Sequence, residues 1–255
     1  MKNIEKISFE NKEHEKIVCN FSKNNDSNII VILSHGLLRG KNKGFIPNIF
    51  SMFESINFNV CSLDFAGYEE SEGDIKDLSY LKQIDDLESV IKGLRKLGFQ
   101  KFCLIGHSMG AAVSIMTANK NNLVKWIIDI ASPADPEKIK ERRFNKNQLT
   151  ELERKGFFEY ELPNGKKFNF YKRFFEDTKK IDIPKSISQL NIPILIIQGS
   201  EDESVMLDEA EKLFLAAKNN STLQIIGGAN HNFKKHTDEL ISTIKNWSLQ
   251  WIEKE

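Results

Sequence analysis

Residues 101–110 read Lys101-Phe102-Cys103-Leu104-Ile105-Gly106-His107-Ser108-Met109-Gly110. An apolar run of strand length ends here. A segment with Ala111, Ala112, Ile115 and Met116 at helical spacing begins directly after it. Strand, sharp turn and helix in immediate succession are the context in which G-x-S-x-G carries chemical meaning. So tight a turn forces the serine into a strained backbone conformation. The residues two before and two after it must be very small, hence Gly106 and Gly110. The Ser108 hydroxyl then projects above the end of the strand, at a helix N-terminus that favours developing negative charge. Ser108 is the candidate nucleophile.

The same rhythm extends outward. Nearly continuous Ile, Val and Leu runs fall at Ile29–Leu33, Asn59–Leu63, Phe102–Ile105, Trp126–Ile130, Ile194–Ile197 and Leu223–Ile226. Such runs are expected of strands covered on both faces. Between them, helical periods occupy Gly44–Ser55, Leu78–Leu97, the segment after Ser108, Leu207–Ala217 and Glu239–Ile252. The alternation predicts an α/β fold with a mostly parallel central sheet and helices on both faces. Two alternating stretches, Ile4–Phe9 and Glu15–Phe21, predict an antiparallel hairpin at its edge. From about Pro133 to Pro184 the alternation breaks. This segment is charged and aromatic, and Phe157–Leu162 and Lys166–Tyr171 flank a turn at Pro163-Asn164-Gly165. The expectation is a single domain over 1–255 with a cap insertion at about 133–185.

Bulk properties set limits. Lys plus Arg and Asp plus Glu are 36 each among 255 residues, so the neutral chain gives no electrostatic reason to expect nucleic acid or an anionic membrane as partner. No apolar run approaches the roughly 20 residues of a membrane span, and Met1–Lys6 lacks the apolar core of a signal peptide. Cys19, Cys61 and Cys103 read as reduced, mostly buried thiols of a cytoplasmic protein. No Cys or His pair has zinc-ligand spacing.

These motifs resemble the α/β-hydrolase superfamily over nearly the full chain, and within it the serine-aminopeptidase-like and cinnamoyl-esterase-like branch. Ser34-His35-Gly36-Leu37 resembles the family's H-G oxyanion segment. Asp64-Phe65-Ala66-Gly67-Tyr68-Glu69-Glu70-Ser71-Glu72-Gly73 resembles its D-x-R-G-x-G-x-S-x-G stretch, with Ala66 in place of Arg. Gly199-Ser200-Glu201-Asp202-Glu203-Ser204-Val205 resembles its acid loop. The resemblance implies that the oxyanion hole is made by the backbone N–H groups of Leu37 and Met109. It also implies a chain order of nucleophile, acid and then histidine.

A serine needs a base, and there are five histidines. His14 lies between the two N-terminal strands. His35 belongs to the H-G segment, where the backbone matters more than the ring. His107 is the variable residue of the turn and reads as structural, pointing away from the serine. His236 opens the last helix. His231 remains, after a strand and the loop Gly227-Gly228-Ala229-Asn230, and is the expected base. Asp202 is the expected acid that orients it. Asp129 and Asp135 are the rivals, and Asp64 reads as a structural partner.

Together these residues imply ester cleavage through an acyl-enzyme, with a small-molecule ester as partner and no metal or cofactor required. Monoacylglycerol or lysophospholipid lipase, thioesterase and serine aminopeptidase chemistry use the same residues. An aminopeptidase would draw on Glu159, Glu161, Glu176 or Asp177 to hold an ammonium. A non-catalytic binding module would have lost one of the three groups. The aromatic residues of 133–185 either roof the site or form the insertion's own core. A homodimer stays open.

Overall fold

A computed structural model describes residues 4–161, 165, 167–217 and 220–252. In chain order the strands are β1 Glu5–Glu10, β2 Lys16–Ser22, β3 Ile29–Ser34, β4 Val60–Leu63, β5 Lys101–His107, β6 Val124–Ile130, β7 Phe157–Glu161, β8 Lys167–Tyr171, β9 Ile194–Gly199 and β10 Ser221–Ile226. The helices are α1 Ile46–Ser55, α2 Tyr80–Lys96, α3 Met109–Ala118, α4 Pro136–Arg143, α5 Lys146–Lys155, α6 Lys172–Thr178, α7 Ile183–Ser188, α8 Leu207–Ala216 and α9 Thr237–Ile252.

Eight strands form one sheet in the order β1-β2-β4-β3-β5-β6-β9-β10. From β4 to β10 every neighbouring pair is parallel; β1–β2 and β2–β4 are antiparallel. The α/β fold with an N-terminal antiparallel hairpin is therefore as expected. Successive side chains of a strand face opposite sides, so β3 feeds two cores. Ile30 and Ile32 pack with Leu87 and Val90 of α2 and Ala112 of α3. Val31 and Leu33 pack with Ile49 and Phe53 of α1 and Leu240 of α9. A sheet covered on both faces explains why its strands read as unbroken apolar runs rather than alternating ones.

The chain leaves β3 toward β4 on one side and later adds β5 on the other. The direction of strand addition reverses between β3 and β5. In open α/β sheets the crevice outside the carboxyl ends of the strands at such a reversal is the favoured ligand position. Both the Ser34–Leu37 segment and Ser108 leave the sheet at that point.

Segment 133–185 carries α4 to α6, the start of α7 and the two-stranded sheet β7-β8, with Phe158 opposite Phe170. The turn expected at Pro163-Asn164-Gly165 lies largely outside the described residues. Phe170 contacts the rings of Phe144, Phe158, Tyr160, Phe168, Phe174 and Phe175, with centroids 4.9–6.1 Å apart. Most of the segment's aromatic residues thus form a core, which joins the main core through Tyr80 stacked on Phe174. Among the described residues no helix is long and apolar enough to cross a membrane. All three cysteines are buried.

Candidate active site

Ser108 sits between β5 and α3 with φ 53° and ψ −120°. Its N–H is held by the Ile130 carbonyl of β6 at 2.8 Å, and its carbonyl accepts from Ala111 N–H at 3.0 Å. Positive φ at a residue with a Cβ costs about 1–3 kcal/mol, so the surrounding structure has to impose it. The two glycines make this feasible. A Cβ on Gly106 would lie 2.3 Å from the Gly110 carbonyl, and one on Gly110 would lie 2.4 Å from the His35 carbonyl.

His231 lies in the loop between β10 and α9, and Asp202 in the loop after β9. His231 Nδ1 bonds Asp202 Oδ2 at 2.7 Å. That carboxylate is fully saturated. Oδ1 accepts from Ser204 N–H at 2.8 Å and Val205 N–H at 2.9 Å, and Oδ2 also accepts from Gln198 Nε2 at 3.0 Å. A buried carboxylate that only accepts places the proton on His231 Nδ1. The Nε2 lone pair is then free to accept a proton from a neighbour. Ser108 and His231 line one cavity of about 350 Å³, with Gly36 and Leu37 also in its wall.

The rival acids sit elsewhere. Asp129 is completely buried on β6, one oxygen accepting from Ser132 N–H at 2.9 Å and the other without a partner. Burial pushes its carboxyl up to about 7. Asp135 caps α4 through Glu137 N–H at 3.1 Å. Asp64 is buried against Lys41 and accepts from the Lys41 amide at 2.7 Å, the structural role expected of it. Burial pushes the Lys41 ammonium down, but its bonds to Asp64 and Glu70 outweigh this and leave it raised.

Two histidines do more than the sequence suggested. His35 was expected to matter more through its backbone than through its ring. Its Nδ1–H donates to the Gly36 carbonyl at 2.9 Å, and its Nε2 accepts from Phe65 N–H at 3.1 Å. Burial lowers it to about 4, so the ring stays neutral. The peptide is planar and trans. Tying the Gly36 carbonyl to one side therefore turns the Leu37 N–H to the other. Neither Leu37 N–H nor Met109 N–H has an acceptor within hydrogen-bond distance among the described residues. His107 was expected to point away from the serine, yet it lines the same cavity. Its role is still that of a brace. Nε2–H donates to the His231 carbonyl at 3.0 Å, the two rings lie 4.8 Å apart, and burial holds it well below the usual histidine range. His14 is exposed and paired with Glu10, and His236 precedes α9.

Three arginines of this cavity, Arg39, Arg142 and Arg143, were not singled out from the sequence. Arg39 lies about a hundred residues before Arg142 and Arg143 and shares no motif with them, so only the fold brings the three together. None of the four carboxylates considered for an ammonium subsite lines this cavity, and three of them are paired elsewhere. Glu159 and Glu161 pair with Lys167, and Asp177 with Lys180.

A sharp Ser turn, an Asp–His pair and two open amides at a sheet's switch point define the class known as α/β hydrolases. A family model described as alpha/beta hydrolase fold matches residues 29–154. The chain is 25% identical over 270 residues to a monoglyceride lipase homolog of monkeypox virus, covering 95% of this chain and 96% of the relative. It is 23% identical over 279 residues to human monoglyceride lipase, covering 95% of this chain and 88% of the relative. The structure of Est1E from Butyrivibrio proteoclasticus with ferulic acid bound superimposes with a TM-score of 0.83 at 19% identity, covering 96% of this chain and 99% of that one. The chain belongs to the α/β-hydrolase superfamily and is a hydrolase of that type.

Proposed function

We propose that the protein is a serine hydrolase of carboxylic esters, with Ser108 as nucleophile, His231 as general base and acid, and Asp202 as the carboxylate that orients it. The observation that carries this reading is the 2.7 Å bond from His231 Nδ1 to a saturated, buried Asp202, beside a serine held at positive φ in the same cavity. His231 Nε2 takes the Ser108 proton as Oγ attacks the ester carbonyl. The oxyanion rests on the amides of Leu37 and Met109. His231 then protonates the leaving alcohol, and water deacylates Ser108 by the same route. No step calls for a metal or an organic cofactor.

The site favours an ester over an amino-terminal peptide. A substrate ammonium would meet three guanidinium groups and a single exposed carboxylate, Glu203. The likeness to monoglyceride lipases fits a small ester substrate. In this reading the chain is one domain and segment 133–185 is its cap, since Ile139, Arg142, Arg143 and Tyr160 contribute to the cavity. A panel of 4-nitrophenyl esters, with a feruloyl ester and an aminoacyl anilide, tests the reading. Ester turnover that vanishes in Ser108→Ala supports it. Turnover of the anilide alone would replace it with a peptidase.

A further inference from the structure

The cavity beside Ser108 is unbalanced in charge. Arg39 of the loop after β3 and Arg142 and Arg143 of α4 line it, against one carboxylate, Glu203. The whole chain is neutral, with 36 basic and 36 acidic residues, so this surplus is local rather than a reflection of composition. Nor are the guanidinium groups consumed by ion pairs among the described residues. Arg39 donates to a neutral acceptor, Asn232 Oδ1, at 2.8 Å. Arg142 has only a 3.9 Å approach to Glu209, whose carboxylate already accepts from the amides of Ala134 and Asp135. Arg143 lies over the Tyr160 ring at 5.9 Å, and its Nε is buried without a hydrogen-bond partner among the described residues. A buried guanidinium N–H without an acceptor is costly unless a ligand supplies one. The planar fork of arginine matches the paired oxygens of a carboxylate or phosphate. At about 350 Å³ the cavity falls within the range of small-molecule sites, roughly 300–1,000 Å³.

We propose that the preferred substrate is an ester that carries an oxyanionic group, carboxylate or phosphate, bound by Arg143 with Arg39 and Arg142 while its ester carbonyl lies at Ser108. The inference rests on the ester-hydrolase reading, and it makes the cavity selective for charge as well as for bond type. Beside Arg143, Leu37, Phe144 and Phe175 wall a second, apolar hollow that also reaches Ser108.

Matched pairs test this in two arms. In the carboxylate arm, the mono-4-nitrophenyl ester of adipic acid is compared with 4-nitrophenyl hexanoate, both by kcat/KM and by calorimetric binding to the Ser108→Ala protein. In the phosphate arm, 1-butyrylglycerol 3-phosphate is compared with 1-butyrylglycerol, both by hydrolysis and by calorimetric binding to the Ser108→Ala protein. The expected result is at least a tenfold preference for the anionic member in one arm, which identifies the anion. Raising the salt concentration should shrink that preference. Arg143→Gln should bring the ratio close to one, and Arg143→Lys should restore only part of it. If Arg143→Gln does not fold, the exposed pair Arg39→Gln and Arg142→Gln serves with the salt series. Equal or weaker binding of both anionic members would overturn the proposal, whatever the turnover. Ester turnover that survives in Ser108→Ala would overturn the catalytic reading instead, while the binding ratio still decides the anion site.

Discussion

The Gly36–Leu37 peptide is the residue-scale feature that most depends on side chains far from any reaction. Its carbonyl is fixed by a neutral His35 whose other nitrogen is fixed by Phe65 N–H. Removing the ring frees the peptide to rotate, and the Leu37 N–H loses its direction. His35→Ala is expected to lower kcat by about 10²-fold, the loss typical of one oxyanion donor, with KM little changed. Steady-state kinetics on a neutral ester checks this, and an unchanged kcat would remove His35 from the argument. At the acid, Asp202→Asn is expected to lower kcat by about 10⁴-fold, because an amide can leave His231 in the wrong tautomer. Asp129→Asn should leave turnover near that of the wild type. The reverse outcome would move the acid to β6. The three candidate residues, Ser108, Asp202 and His231, could be picked out in the sequence because each follows a recognisable apolar strand. The ring of His35 and the three arginines were not. Their partners lie in distant loops, and no spacing rule joins residue 39 to residues 142 and 143.

At the scale of elements, strands were easier to read than the helices of segment 133–185. β3, β5 and β9 announce themselves as buried apolar runs. α4 buries only Pro136 and has no apolar face, so helical periodicity could not reveal it. Its signal lies in its capping instead: Asp135 accepts from Glu137 N–H and Pro136 occupies the first turn. α5 carries a similar mark, a capping box between Asn145 and Gln148. Because α4 lacks an apolar stripe, neighbouring aromatic residues must hold it. Phe144, at its C-cap, packs on Phe158, Phe170 and Phe175. Phe170→Ala is expected to cost about 3–5 kcal/mol. A lower urea midpoint with an unchanged slope would be the signature of loss from a core continuous with the sheet. A near-wild-type midpoint would mean instead that the cap packs independently.

For the whole molecule, two buried carboxyls set a pH dependence opposite to the usual acid-labile one. Burial raises Asp129 to about 7 and Asp86 to about 6. An unfolded carboxyl titrates near 4, so between about pH 4 and 7 the folded state binds more protons than the unfolded one. Stability from these groups therefore falls as pH rises through that window. For Asp129 the fall amounts to about 4 kcal/mol. His35, lowered to about 4 by burial, acts in the other direction, gaining stability as pH rises toward 6.5. The total curve mixes these signs, but a difference isolates one. Urea unfolding of Asp129→Asn and wild type should show the variant gaining on the wild type steadily from pH 4 to 7. Parallel curves would mean that Asp129 is ionised in the fold.

The proposed chemistry centres on one oxygen atom, the Oγ of Ser108. The most direct measurement is reaction with a fluorophosphonate probe, followed by peptide mass spectrometry. One adduct per chain on Ser108, absent from Ser108→Ala and slowed in Asp202→Asn, is the predicted result. Labelling of Ser108→Ala at the wild-type level, or an adduct on another residue, would contradict the assignment of Ser108 as the nucleophile.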